Sequence, residues 1–255
     1  MGRATKEAAL AYWGDALMWL KQYKEAIGVF DQLEGRCFLE EDFLNVHEIA
    51  NRNGKESIFE VQFTEYGSMG WNNWGVNNQW ISSFGMPKPI SNFAYAYADP
   101  KLYRSFQSGD TRKLATVIGP GDEHPSPLIN IRDYPRLIEY AKEGGSGEQP
   151  EYYQDDDGNP LNTCGTRFMP WKSDGSGYFG VKYWRNPEVC GTKGKDWFLS
   201  PDNIMMMRYA QVLLSKAECY YHENNESEAM KLVGQIRDRA WGKLKNASVT
   251  VPDPV

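Results

Sequence analysis

Three tryptophans and four asparagines crowd one short stretch: Trp71, Asn72, Asn73, Trp74, Asn77, Asn78 and Trp80. A flat indole suits the C–H face of a sugar ring, and a primary amide can both donate to and accept from a hydroxyl. By analogy with aromatic pairs, each such ring contact would contribute about 0.5–1.5 kcal/mol beyond the area it buries. The chemistry this pattern supports is non-covalent recognition of a polyhydroxylated ligand. Gly70 and Gly75 make regular structure poor here, and exposed tryptophans are unfavourable without a partner. The stretch is therefore a recognition loop or a packed one. In the packed alternative the indoles plug the gap between loop and helices, and Trp71 and Trp74 are three apart, as in a helical core stripe.

Other reactive-looking groups carry less. Asp155, Asp156, Asp157 and Asn159 cluster hard oxygens that suit calcium, but the alternate spacing of an EF-hand is missing and a solvated turn is the expectation. Arg112, after Gly109-Asp110, could grip an anion; pairing with Asp110 or with a carbonyl to fix the turn is favoured. Carboxylates such as Glu60 and Glu65 offer no spacing test for a glycosidase, whose acids must face each other across the scissile bond. GxSxG, HExxH and P-loop motifs are absent, and with three histidines a His-rich metal site is disfavoured. No catalytic residue, metal ligand or cofactor is expected. Of the four cysteines, Cys219 reads as a buried thiol, while Cys164 and Cys190 lie in Gly-rich loop sequence and could pair.

Composition disfavours a nucleic-acid partner and a membrane span. The net charge of −6, from 28 Lys+Arg against 34 Asp+Glu, disfavours a nucleic-acid partner. Hydrophobic residues make up 41% and charged residues 24%, ordinary for a globular chain of 255 residues. No apolar run reaches the ~18 residues of a membrane span, and no signal-peptide pattern is present.

The elements that must hold the tryptophan segment are helical. In Asn203–Trp241, Met206, Ala210, Leu213, Ala217 and Tyr220 share one helical face. After the turn His222-Glu223-Asn224-Asn225, Ala229, Leu232, Val233, Ile236 and Ala240 form the matching stripe. Asn225 and Glu228 have the spacing of a capping box. Ile204–Met207 reads either as the start of this helix or as a strand entering it at Arg208. Residues 6–34 form a second antiparallel helical hairpin. There Ala9, Tyr12, Ala16 and Trp19 make one stripe, and Tyr23, Ala26, Ile27, Phe30 and Leu33 make the other. Gly14, Leu17, Tyr23, Ala26 and Phe30 also fall at tetratricopeptide consensus spacing. Aligning Ala26 with Ala229 aligns Gly14 with Ala217 and Leu33 with Ile236, so the hairpins are related. Tyr12, Trp19, Phe30, Leu213, Tyr220 and Val233 are expected to be mostly buried. Between the hairpins, SIFEVQF (57–63) alternates as a strand with Phe59, Val61 and Phe63 on its buried face. Residues 99–114 are expected to be helical around Leu102–Phe106 before a turn at Gly109-Asp110. Residues 119–127 and 144–177 are loop-rich, and YFGVKYW (178–184) is a second strand candidate.

Five pieces in order carry a family resemblance: Tyr23-Lys24-Glu25-Ala26; Glu56-Ser57-Ile58-Phe59-Glu60-Val61-Gln62; Gly109-Asp110-Thr111-Arg112; Gly180-Val181-Lys182-Tyr183; and Asn203 with Arg208-Tyr209-Ala210, Leu213-Leu214 and Ala217-Glu218, ending in Arg237-Asp238-Arg239-Ala240. With these the chain resembles the SusD/RagB family of outer-membrane nutrient-binding lipoproteins. The resemblance implies a mainly α fold, a SusD-like superhelix of tetratricopeptide-like hairpins with long irregular loops and a few short strands. It implies one SusD-like domain over 1–255, incomplete at both ends, with hairpins at about 5–34 and 203–241 and a ligand-facing segment at about 57–200. It further implies an oligosaccharide-binding protein on the extracellular face of the outer membrane, held by a lipid anchor absent from this sequence. Such a protein delivers its ligand to a SusC-like TonB-dependent transporter, without catalysis. The alternatives are a tetratricopeptide scaffold that binds proteins and a SusD-like binder of peptides.

Overall fold

A computed structural model describes residues 4–64, 97–119, 121–126, 153–154, 160–161, 176–182 and 201–245. The chain divides into two compact units. The first comprises residues 1–46, 51–62 and 203–255, and the second residues 47–50 and 63–202.

The first unit is built on four helices: α1 (Lys6–Trp19), α2 (Tyr23–Phe30), α5 (Tyr209–His222) and α6 (Glu226–Ala240). Each consecutive pair is an antiparallel hairpin, and α2 packs on α5 to join the two. Thr5 caps α1, its hydroxyl oxygen accepting from the Ala8 N–H at 3.1 Å. Asn225 caps α6, accepting from the Glu228 N–H at 3.3 Å. Only half of the expected capping box forms. The Asn225 N–H donates to the Tyr220 carbonyl at 2.8 Å, and Glu228 turns to Lys231.

Both hairpins turn in the same way. Lys21 (φ 60°) and Asn224 (φ 61°) occupy the left-handed region at aligned positions. Gln22 N–H donates to the Leu17 carbonyl and Lys21 N–H to that of Met18; Asn225 donates to Tyr220 and Asn224 to Tyr221. These are Schellman motifs, which satisfy carbonyls that the helix end would leave orphaned.

The core follows the repeat alignment. Gly14, Ala26 and Leu33 are buried, as are their counterparts Ala217, Ala229 and Ile236. A Cβ added to Gly14 would lie 2.4 Å from the Phe30 ring, so glycine is what lets α1 and α2 close on that ring. The second hairpin carries the complementary pair at the aligned positions, Ala217 and Val233. Phe30 and Leu213 are buried, and Tyr220 and Val233 partly so. Tyr12 and Trp19 depart from expectation at 42% and 78% exposed. Ala9 and Ala16 are exposed as well; α1 buries Ala8, Leu10, Ala11, Gly14 and Leu17 instead. Alanines occupy both sides of α1, with the aromatics on the exposed side and the leucines on the buried one, so periodicity fits two faces, and the packing partner Phe30 selects the one containing Gly14.

Two strands complete this unit. β1 (Ser57–Val61) pairs antiparallel with β6 (Ile204–Arg208), with register shifts on either side of Phe59. Ile204–Arg208 is thus a strand feeding α5, and Met206 lies off the helix, 52% exposed. The buried face of β1 is the reverse of the expected one. Glu56, Ile58 and Glu60 point inward, Phe59 is half-buried and Val61 is 40% exposed. The residues alternate as expected; which face is dry is decided by the polar partners described below.

In the second unit, α3 (Pro100–Ser105) has Pro100 at its first position and Asp99 as its cap, accepting from the Lys101 N–H at 2.7 Å. Gly109 (φ 83°) makes the turn into α4 (Arg112–Thr116), which runs into β2 (Val117–Ile118). β2 pairs with β5 (Phe179–Gly180), a shorter strand than expected, around the buried Val117, Ile118 and Phe179. β3 (Tyr153–Gln154) pairs with β4 (Pro160–Leu161).

Candidate functional site

The seven expected ligand-binding residues, Trp71, Asn72, Asn73, Trp74, Asn77, Asn78 and Trp80, lie outside the described residues, as do Glu65, Asp155–Asn159, Cys164 and Cys190. The strand pair at residues 57–61 and 204–208 is described, and it is held by buried charge.

Glu56 precedes β1 and is the centre of it. Its carboxylate accepts from Arg239 Nη1 at 2.8 and 2.6 Å, from Arg208 Nη1 at 2.8 Å and from the Glu40 N–H at 2.7 Å. The Glu56 and Arg239 side chains are 2% and 1% exposed. Both guanidinium groups also face the Phe43 ring, 5.2 Å (Arg239) and 5.5 Å (Arg208) from its centroid, within cation–π range. The first strand, the strand-to-helix junction and the end of α6 are thereby tied to one carboxylate. Sequence reasoning quoted all three residues as motif pieces without assigning this role. A signal existed: Arg239 sits three residues after Ile236 and seven after Leu232, on the apolar stripe of α6, where a charge is buried only if paired.

A second polar cluster sits at the far end of β1. Glu60 Oε1 accepts from the Asn53 N–H at 3.1 Å and Glu60 Oε2 from Asn203 Nδ2 at 2.8 Å. The same Asn203 amide donates to Gln62 Oε1 at 3.0 Å, and Gln62 exchanges reciprocal hydrogen bonds of 2.9 and 2.8 Å with the Asn53 amide. Glu60 is therefore engaged in backbone and amide hydrogen bonds, which is the reason it points inward.

In the second unit Arg112 behaves as expected of a turn-fixing residue. Its Nε and Nη2 grip Asp110 at 2.9 and 2.6 Å, and the Asp110 carboxylate also accepts from the Arg112 N–H at 3.0 Å. That arginine holds the Asp110 carboxyl below the usual range. Nearby, Asp122 accepts from the Tyr103 hydroxyl at 3.0 Å and from the Gly119 N–H at 2.8 Å, and Lys113 lies over the Tyr103 ring.

Cys219 is buried, as expected, and so is Cys37; burial pushes both thiols up to about 11. Among the described residues no group of three His, Cys, Asp or Glu could hold a metal ion, and no helix is long and apolar enough to cross a membrane.

Comparison with known proteins matches the geometry of the helical frame. The model of the SusD family matches residues 43–248. No curated protein matches by sequence. Among solved structures, surface glycan-binding protein A from Bacteroides thetaiotaomicron is similar with a TM-score of 0.65 at 17% identity, covering 98% of this chain and 50% of that one. The complex of surface glycan-binding protein A from the same organism with laminarihexaose gives 0.62 at 17% identity, over 98% and 50%. A structure with a xylogluco-oligosaccharide gives 0.63 at 17% identity, over 97% and 46%. The chain thus spans about half the length of the solved structures it matches.

Proposed function

This chain belongs to the SusD family, and from that premise we propose that it captures oligosaccharides at the cell surface and passes them to a SusC-like TonB-dependent transporter in the outer membrane. The observation that carries this reading is the likeness of its fold to proteins solved with laminarihexaose and with a xylogluco-oligosaccharide. The tryptophan and asparagine content of residues 71–80 supports it, supplying stacking faces and amides in one segment. Capture is selective binding without bond cleavage. Trp71, Trp74 and Trp80 stack on sugar faces, and Asn72, Asn73, Asn77 and Asn78 bond hydroxyls.

Calorimetric titration of the chain with laminarihexaose and with a xylogluco-oligosaccharide tests this. Binding of at least one is expected. Changing the contacting tryptophan to alanine is expected to weaken it about tenfold, or 1.4 kcal/mol, with the melting temperature unchanged. A lower melting temperature with unchanged affinity would make that tryptophan a packing residue. Reproducible cleavage of either sugar would overturn the binding-only mechanism.

A second reading, a scaffold for a protein partner, is favoured by one observation. The outward face of α1 carries Tyr12, Trp13, Trp19 and Leu20, which are 42%, 55%, 78% and 70% exposed. Pull-down with a detergent-solubilised TonB-dependent barrel, compared with soluble proteins, separates the two.

A further inference from the structure

The β1–β6 pair is where the chain leaves the first unit for residues 63–202 and returns to it. Its two ends are held by different means. At the Ser57–Arg208 end the buried Glu56–Arg239 pair fixes it. At the Val61–Ile204 end apolar burial contributes little, since Val61 is 40% exposed and Ile204 and Met205 are only half-buried. The ladder is also weakened by its two register shifts. What sits at this end instead is the cluster of Asn53, Glu60, Gln62 and Asn203, with Glu60 and Asn203 only 7% and 6% exposed. Asn53 holds φ 56°, a conformation asparagine tolerates, and so aims its N–H at Glu60. A buried carboxylate and a buried amide, each with its partner supplied by the other strand or turn, are costly to separate.

We propose that Asn53, Glu60, Gln62 and Asn203 form a latch that holds together the two ends of the 63–202 excursion, and that the oligosaccharide affinity of the chain depends on this latch. Asn203 is the keystone, because its amide bridges both Glu60 and Gln62 from the returning strand. Trp71 follows nine residues after Gln62 in the sequence. The affinity part rests on the function proposed above; the latch itself does not.

The test uses the full chain and a donor–acceptor reversal. Asn203→Asp places a second carboxylate against Glu60. Adding Glu60→Gln restores complementarity, since the new amide donates to the new carboxylate while its oxygen still accepts from the Asn53 N–H. The Gln62 and Asn53 amides turn over to follow, which gives up the 3.1 Å hydrogen bond from Gln62 Nε2 to the Glu60 carbonyl. Asn203→Asp should speed hydrogen exchange at the Ile204–Arg208 amides about tenfold or more, and the double variant should reverse most of this. Affinity for laminarihexaose or a xylogluco-oligosaccharide should fall about tenfold and return in step. Gln62→Ala, at an exposed position that tolerates change, should give a smaller shift of the same sign.

Unchanged exchange in Asn203→Asp and Gln62→Ala, or a rise the double variant does not reverse, would overturn the latch. Exchange that recovers while affinity does not would overturn its link to binding. If the unaltered chain binds neither sugar, the proposed function fails and the affinity part with it, while the exchange measurements still decide the latch.

Discussion

The two hairpins share a turn and a buried small-residue seam, yet they use an arginine at the aligned position in opposite ways. The alignment that pairs Ala26 with Ala229 pairs Arg36 with Arg239. Arg36 follows the break at Asp31–Leu33 and Gly35 (φ 72°), has left the helical face, and bonds Glu7 at the surface with its side chain 48% exposed. Arg239 is still on α6 and is driven inward with the stripe, where Glu56 receives it. The lesson is that repeat position determined which residue was available, and helix length determined whether it entered the core. A surface pair is worth little because water screens it. A buried pair is costly to break because the surviving charge is stranded.

The largest expected effect tests this directly. Arg239→Ala should cost about 3–5 kcal/mol in chemical denaturation, and Arg36→Ala no more than about 1 kcal/mol. Equal costs would mean that the Glu56 network is solvated and that the contrast is only geometric.

Next comes the contrast between the two apolar stripes. Leu213→Ala and Leu10→Ala should each cost about 2–5 kcal/mol, because both side chains are buried in the shared core. Trp19→Ala, despite the larger side chain, should stay within about 0.5 kcal/mol in the same denaturation experiment, since the indole is 78% exposed. A large loss at Trp19 would show that its face is covered in solution.

The smallest effect lies in the turns. Lys21 and Asn224 hold the same left-handed conformation, which costs a β-carbon-bearing residue about 1–2 kcal/mol but suits asparagine better than lysine. Lys21→Gly should therefore raise stability by roughly 0.5–1 kcal/mol, and Asn224→Gly by less. A destabilised Lys21→Gly would mean that the lysine side chain contributes packing that outweighs its backbone strain.

How much was legible beforehand can be read residue by residue. The hairpins, the turn of the second and the alignment that matches Gly14 with Ala217 and Ala26 with Ala229 are visible because helical spacing and small residues are local signals. The face of α1 was not, since Ala9, Tyr12, Ala16 and Trp19 repeat as regularly as the buried Leu10, Gly14 and Leu17. The repeat alignment pairs Leu10 with Leu213 and Gly14 with Ala217, and so held the answer that single-helix periodicity lacked. At the candidate site, the composition of residues 71–80 suggests ligand chemistry, but those residues lie outside the described structure.

What the sequence by itself determined, then, is the two helical hairpins, the turn between the helices of the second and the alternation of β1, all of which depend on residues close together in the chain. What only the tertiary structure decided is which face of β1 is buried. Val61 is exposed and Phe59 only half-buried while Glu56 and Glu60 face inward, because Arg239, Arg208 and Asn203, more than a hundred residues away in sequence, supply the hydrogen bonds that make burying a carboxylate tolerable. Alternation is a local property and survives in any strand. The sign of the face depends on partners that only folding brings together.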